Sequence, residues 1–216
     1  MTLEQARIHL CRHGEVAPEW RERVYGKLDV ELADEGRLRF ELLADALREL
    51  PLAGVYASDL CRARSGAELI AAAHGLEVRL DPRLREIDRG SWAGRSIQAV
   101  EELSPGGFQR YKEAPMSFRE HGGESHGDLL ERVRPALIEL ADRHRGEEIL
   151  AVTHGQVMRV LLAWVLGISG PASMRVMTSY GGLTTIDRFP DGDWVVQAVN
   201  APSIRPGEWG GRTTRP

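Results

Sequence analysis

ARIHLCRHGE, residues 6–15, is the stretch on which the reading of this chain turns. Residues 6–10 alternate as a strand does and then run into Arg12-His13-Gly14-Glu15, a loop in which the glycine permits a tight turn. Two later stretches repeat the arrangement. GVYAS at 54–58 is a short strand followed by Asp59-Leu60-Cys61-Arg62, and EILAVT at 148–153 is a strand followed by His154-Gly155. The second of these is continuously apolar from Ile149 to Val152, as expected at the centre of a parallel sheet covered on both faces.

The intervening segments have helical spacing. Phe40, Leu43, Leu47 and Leu50 mark a helix over 34–50 that Pro51 ends. A second spans 59–74, with Asp59 in its first turn and Gly75 just past its end. LEVRL at 76–80 alternates as a strand. Leu130, Val133, Leu137 and Leu140 mark a helix over 126–144, with a kink or a later start expected because Pro135 falls inside it. Gly155 opens a helix to about 167, and LTTIDRF and WVVQAV, separated by Pro190-Asp191-Gly192-Asp193, read as a closing hairpin. Residues 81–125 are irregular and rich in Gly and Pro, with one short helix near 96–103. So long a stretch is better read as the wall or lid of a site than as a connection. Strands alternating with helices predict a three-layer α/β/α fold with a mostly parallel sheet. Residues 1–200 are expected to form a single domain, and the Pro/Gly/Arg-rich tail over 201–216 is expected to be disordered.

Composition narrows the function. The chain has 216 residues and a net charge of −4, which argues against a nucleic-acid partner and makes any cluster of arginines a pointer to a bound anion. The only cysteines, Cys11 and Cys61, are far apart, so no thiolate zinc site is expected. No apolar run approaches the roughly 18 residues that span a bilayer. The expectation is a cytoplasmic enzyme with reduced thiols and no membrane partner. The oligomeric state stays open, a homodimer included. No Walker loop, dinucleotide fingerprint or metal-ligand cluster is present, so neither a cofactor nor a metal is expected.

Open α/β sheets bind ligands at the carboxyl ends of their strands. The three strand ends bring His13, His154, Arg12 and Arg62 toward one edge, and Leu84-Arg85-Glu86-Ile87-Asp88-Arg89-Gly90 adds carboxylates from the irregular wall. Phosphoryl transfer needs this set. Guanidiniums grip phosphate oxygens in pairs, a neutral imidazole can attack phosphorus, and a carboxylic acid can protonate the leaving oxygen.

Taken together, RHGE after the first strand, SDLxRA in the middle, LREIDRGSWAG and VTHG resemble the histidine phosphatase superfamily, the phosphoglycerate mutase-like fold, over roughly residues 6–200. The resemblance implies a small phosphorylated substrate, with His13 the phosphorylated nucleophile, Arg12, Arg62 and His154 the phosphate pocket, and Glu86 the general acid which then activates water. The chain departs from the family in two places. RHGEVAPEW has Val16 where many members have Thr, and it lacks the Asn that contacts phosphate shortly after. Asp88-Arg89-Gly90-Ser91-Trp92 stands where mutases carry an ERxYG-type segment, which favours hydrolysis. A cofactor-dependent phosphoglycerate mutase is the nearest alternative, and a non-catalytic regulatory or binding module on the same fold is another.

A different class competes for one segment. Gly123-Glu124-Ser125-His126-Gly127 matches the G-x-S-x-G elbow of serine hydrolases, but the residues before it do not form the apolar strand that the elbow requires. Glu15 reads as structural or orienting, since its carboxylate would repel a phosphate dianion, and Trp92 reads as packing. His9, His74, His121, His126 and His144 read as structural or exposed, with His121 and His126 set apart because they flank Gly122-Gly123-Glu124-Ser125.

Overall fold

The computed structural model describes residues 5–201; the expectation for the tail after Ala201 lies outside the described residues. Six strands form one sheet: β1 (Ala6–Arg12), β2 (Leu52–Ala57), β3 (Val78–Leu80), β4 (Glu148–Thr153), β5 (Leu183–Arg188) and β6 (Trp194–Ala201), in the order β3-β2-β4-β1-β5-β6. The pairings β3-β2, β2-β4 and β4-β1 are parallel, and β1-β5 and β5-β6 are antiparallel. The apolar β4 stands in the middle of the parallel part, flanked by β2 and β1.

Strand alternation divides the core in two. Ile8, Leu10, Ile149 and Ala151 face the helices α5 (His126–Arg143) and α6 (Gly155–Val165), while Cys11, Val55, Ala57, Leu150 and Val152 face α1 (Asp34–Ala46) and α2 (Cys61–Ala73). The result is the three-layer α/β/α arrangement expected from the sequence. Cys11 and Cys61 are both free.

Three local expectations need correction. Helix α5 does not start late but runs from His126 through Pro135, which is exposed, as is Glu131, whose carbonyl Pro135 leaves without an amide partner. Helix α2 begins at Cys61 rather than Asp59: Asp29 Oδ1 accepts the Cys61 N–H at 2.7 Å, and Asp59 instead forms an ion pair with Arg85. The wall at 81–125 holds two short helices, α3 (Ile97–Leu103), which was expected, and α4 (Gly107–Glu113), which was not. Helix α4 has too few apolar positions to show a period. It is held by Tyr111 and Phe108, which pack with Trp92 and Phe118 in a third apolar cluster. Trp92 is therefore packing, as read from the sequence.

Candidate active site

The ends of β1 and β4 are in register, with Arg12 opposite Thr153, and Ala57 of β2 lies opposite Val152. Each side chain expected in the site follows from that alignment. His13 is the first residue after β1, and its N–H donates to Thr153 O at 2.9 Å. His154 caps α6 directly after β4, and Arg62 sits in the first turn of α2 after β2. Thr153 Oγ1 donates to Leu84 O at 2.9 Å, tying the irregular wall to the same strand end and setting Glu86 beside it.

Two glycines let the first loop lie this close to α1. A Cβ on Gly14 would come within 2.6 Å of Gly36 O, and one on Gly36 within 2.3 Å of Glu15 O. Glu15 pairs with Arg39 of α1 at 2.8 Å, a structural contact. Val16 is fully buried and bridges to Leu32.

His13 and His154 are buried, with ring centroids 5.1 Å apart. His13 Nδ1 lies 2.7 Å from Gly14 O; a carbonyl can only accept, so Nδ1 carries the proton and Nε2 holds the lone pair. Burial first, and then the charges of Arg62 and Arg12, hold the His13 imidazole neutral well below the ordinary histidine range. The same causes, burial first, keep His154 neutral, with His13 adding to the effect.

The two guanidiniums are fixed by carbonyls and rings rather than by acids. Arg62 is fully buried and donates to Leu28 O at 2.7 Å and Gly26 O at 2.8 Å, with its charge 5.1 Å from the Tyr25 ring centroid. Arg12 donates to Thr178 O at 2.6 Å and stacks on Tyr180 at 3.9 Å, with room that Gly155 leaves by lacking a side chain. Neither forms an ion pair among the described residues. Seven buried side-chain nitrogens there have no hydrogen-bond partner, and five of them are Arg12 Nε, His13 Nε2, Arg62 Nε and both His154 nitrogens. Leaving a buried donor unpaired costs about 1–3 kcal/mol. Of the five, Arg12 Nε, Arg62 Nε and one His154 nitrogen are donors, and with two uncompensated cations they make a site built for an oxyanion.

Glu86 separates itself from the charged stretch around it. Asp81 pairs with Arg83, Arg85 with Asp59, and Asp88 with Lys27, all toward the surface. Glu86 is buried, and its carboxylate accepts the Ile87 N–H at 2.9 Å and the Gln156 N–H at 3.2 Å. It lines a cavity of about 310 Å³ together with Arg12, Gly26, Gln156 and Tyr25. The structure thus brings Arg12, His13, Arg62, Glu86 and His154 together, the full set expected from the sequence.

Sequence reasoning missed Tyr25 and Tyr180, whose hydroxyls meet at 3.2 Å and whose rings lie 6.5 and 5.5 Å from that of His13. Tyr25 was missed because no residue of its segment was read as part of the site. Gln156, Arg159 and Tyr111 were also missed, being scattered over α6 and α4. His126 joins this group, with Nε2 2.5 Å from Tyr111 Oη and 3.1 Å from Gln156 Oε1. His121 packs against Trp92 and accepts the Gly123 N–H. Ser125 is no nucleophile: it caps α5 reciprocally with Asp128.

Among the described residues no group of three or more His, Cys, Asp or Glu side chains is placed to hold a metal ion, and no helix is long and apolar enough to cross a membrane.

An oxyanion site at the carboxyl edge of a three-layer α/β/α sheet, built from two histidines and two arginines, defines a class of phosphoryl-handling protein. The chain belongs to the histidine phosphatase superfamily (branch 1), whose description matches residues 8–202. It is 35% identical over 199 residues to phosphoglycerate mutase-like protein 4 of Arabidopsis thaliana, covering 90% of this chain and 85% of that one. It is also 35% identical over 164 residues to phosphoserine phosphatase 1 of Hydrogenobacter thermophilus, covering 75% and 77%. Among solved structures, a mycobacterial glucosyl-3-phosphoglycerate phosphatase superposes with a TM-score of 0.84 at 27% identity, covering 91% of this chain and 99% of that one.

Proposed function

We propose that this chain is a metal-independent phosphomonoester hydrolase, a histidine phosphatase of the acid type, acting on a small phosphorylated metabolite through a phosphohistidine at His13. The observation that carries this reading is His13 Nε2: buried, unpartnered, and on a neutral ring whose other nitrogen is committed to Gly14 O. Arg12, Arg62 and His154 hold the phosphoryl oxygens as charge builds on them. His13 Nε2 forms a bond to phosphorus while the bond to the ester oxygen breaks, and Glu86 gives that oxygen a proton. A water then passes a proton back to Glu86 as its oxygen attacks phosphorus, the P–N bond breaks, and phosphate leaves with neutral His13 restored. The orienting bond from Nδ1–H to Gly14 O keeps the nucleophile in one tautomer throughout.

The test is phosphate release from p-nitrophenyl phosphate in EDTA at mildly acidic pH, wild type against His13→Ala. Turnover in the wild type and none in the variant supports the reading. Loss of wild-type activity in EDTA contradicts the metal-free claim. Absence of wild-type turnover without chelator favours a strict mutase or a binding module.

The mutase reading draws on the names of the relatives: besides the Arabidopsis protein, a probable phosphoglycerate mutase of Salmonella choleraesuis is 30% identical over 188 residues. On that reading His13 must first be loaded by a bisphosphorylated primer. Isomerisation of 3-phosphoglycerate that depends on such a primer would establish it.

A further inference from the structure

Each of the two pocket arginines is held by a tyrosine ring and by the backbone on either side of that tyrosine or just after it. Tyr180 offers its ring to the Arg12 guanidinium at 3.9 Å. Two residues earlier Thr178 O accepts from Arg12 Nη1 at 2.6 Å, and one residue later the Gly181 N–H donates to Arg12 O at 2.9 Å. Tyr25 stands in the same relation to Arg62. Its ring centroid lies 5.1 Å from the guanidinium carbon, and Gly26 O and Leu28 O accept from the two terminal nitrogens at 2.8 and 2.7 Å. A ring face attracts a cation without neutralising it and without using its donors. An acid in that place would offset the charge meant for the phosphoryl group.

The two tyrosines are 155 residues apart, yet their hydroxyls meet at 3.2 Å. They come from different parts of the fold. Tyr25 lies on the long loop between β1 and α1, which Val24 ties to the irregular wall by donating to Arg95 O at 2.9 Å and accepting from the Gly94 N–H at 2.8 Å. Tyr180 lies on the lead into β5. Burial first, and then the neighbouring Tyr180, push the Tyr25 phenol well above its ordinary range, so Tyr25 enters the contact as a hydroxyl. Both rings border His13. Arg12, Tyr180, Tyr25 and Arg62 thus form one continuous chain of contacts around the nucleophile.

A phosphoryl group in transfer spreads its charge over three oxygens, and its stabilisation is a matter of placing the cations around it. Two guanidiniums on independent segments could drift apart and leave one oxygen unattended. We propose that Tyr25 and Tyr180 are a coupled pair of positioning residues, whose hydroxyl contact fixes the spacing of Arg12 and Arg62 around the phosphoryl site. The proposal rests on the phosphatase reading and adds to it that the two cations work as one unit. Neither tyrosine makes or breaks a bond. Their effect belongs to the transition state, where the geometry is most exacting.

The test is a double-mutant cycle of Tyr25→Phe, Tyr180→Phe and the pair, read as kcat and KM on p-nitrophenyl phosphate. Inhibition by vanadate, which takes five ligands as phosphorus does in transfer, is compared with inhibition by inorganic phosphate. Each single variant should lower kcat by about 3- to 10-fold, the worth of one hydrogen bond, with KM little changed. Vanadate should weaken by a similar factor and phosphate hardly at all. The double variant should lose no more than either single one, because both remove the same contact. Tyr180→Leu, which removes the ring face as well, should fall about 10-fold below Tyr180→Phe. Losses that multiply in the double variant overturn the coupling, and so do phenylalanine variants that match the wild type. A pair that only supports the fold would lower the urea midpoint and weaken vanadate and phosphate alike, which also overturns the proposal. Absence of wild-type turnover on any ester would count against the phosphatase reading alone. Calorimetric binding of vanadate and phosphate across the same cycle then still decides the pair, with equal effects on both anions, or no binding of either, counting against it.

Discussion

His13 and His154 face each other with ring centroids 5.1 Å apart, both buried and both held neutral between the charges of Arg12 and Arg62. Two imidazolium ions could not occupy that space. The pair is stable only as neutral rings, which is the state in which one of them can act as a nucleophile.

That arrangement ties stability to pH. A histidine whose folded pKa lies below its unfolded value binds fewer protons when folded, so its contribution is complete above about pH 6.5 and is lost as pH falls. His13 and His154 behave this way, and so does His126, which burial, Arg89 and Arg159 pull down to about 3. Each adds a loss of up to about 1.4 kcal/mol per pH unit below the unfolded value. Urea unfolding should therefore show stability falling between pH 7 and 5, a window above the titration of the carboxylates. His126→Gln should flatten that slope. A midpoint unchanged across the window would contradict the neutral assignment.

Arg62→Ala should lower the turnover of p-nitrophenyl phosphate by about 10²–10³, the usual loss on removing one donor to a transition state. Arg62→Lys should recover little, because a single ammonium cannot reach Leu28 O, Gly26 O and a phosphoryl oxygen at once. Full activity in Arg62→Ala would remove it from the pocket.

Glu86→Gln should separate good leaving groups from poor ones. An alkyl phosphate needs a proton on its departing oxygen, and loss of general acid catalysis costs about 10²–10⁴. p-Nitrophenolate leaves unassisted, so the first step of its hydrolysis should suffer less. Equal losses on both esters in a burst measurement would argue that Glu86 serves only to position Gln156.

Gly36→Ala tests the close approach behind the His13 loop. Alanine within a helix is ordinarily favoured over glycine by about 1 kcal/mol. Here the added Cβ would lie 2.3 Å from Glu15 O and 2.7 Å from Glu15 N, and overpacking of this kind costs about 1–3 kcal/mol. The variant should unfold at lower denaturant and lose activity as the backbone beside His13 shifts. A rise in the midpoint would show that the approach is slack.

Much of this was legible in the chain because the fold and the first ring of the site share a signal. A strand that stops at a glycine loop announces both the sheet edge and the residues on it, and so Arg12, His13 and His154 could be read before their geometry was known, whereas Arg62 was legible only through its SDLxRA block. Glu86 was legible only through its block; what distinguishes it from Asp81 and Asp88 is that those two find surface cations and it does not. The outer ring was illegible. Tyr25, Tyr180, Tyr111 and Gln156 come from four separate segments and carry no shared spacing. Pro135 misled for a physical reason, since its lost hydrogen bond falls on the solvent side of α5, where water can replace it.

The central claim is that the phosphoryl group passes through His13. Rapid mixing with p-nitrophenyl phosphate followed by alkaline denaturation, under which phosphohistidine survives, and mapping of the digested protein by mass spectrometry test it directly. The account predicts a base-stable, acid-labile phosphoryl group on the peptide carrying His13, absent from His13→Ala and accumulating further in Glu86→Gln, where water is no longer activated. Steady turnover by the wild type with no phosphoryl group on His13, or turnover that persists in His13→Ala, would contradict it.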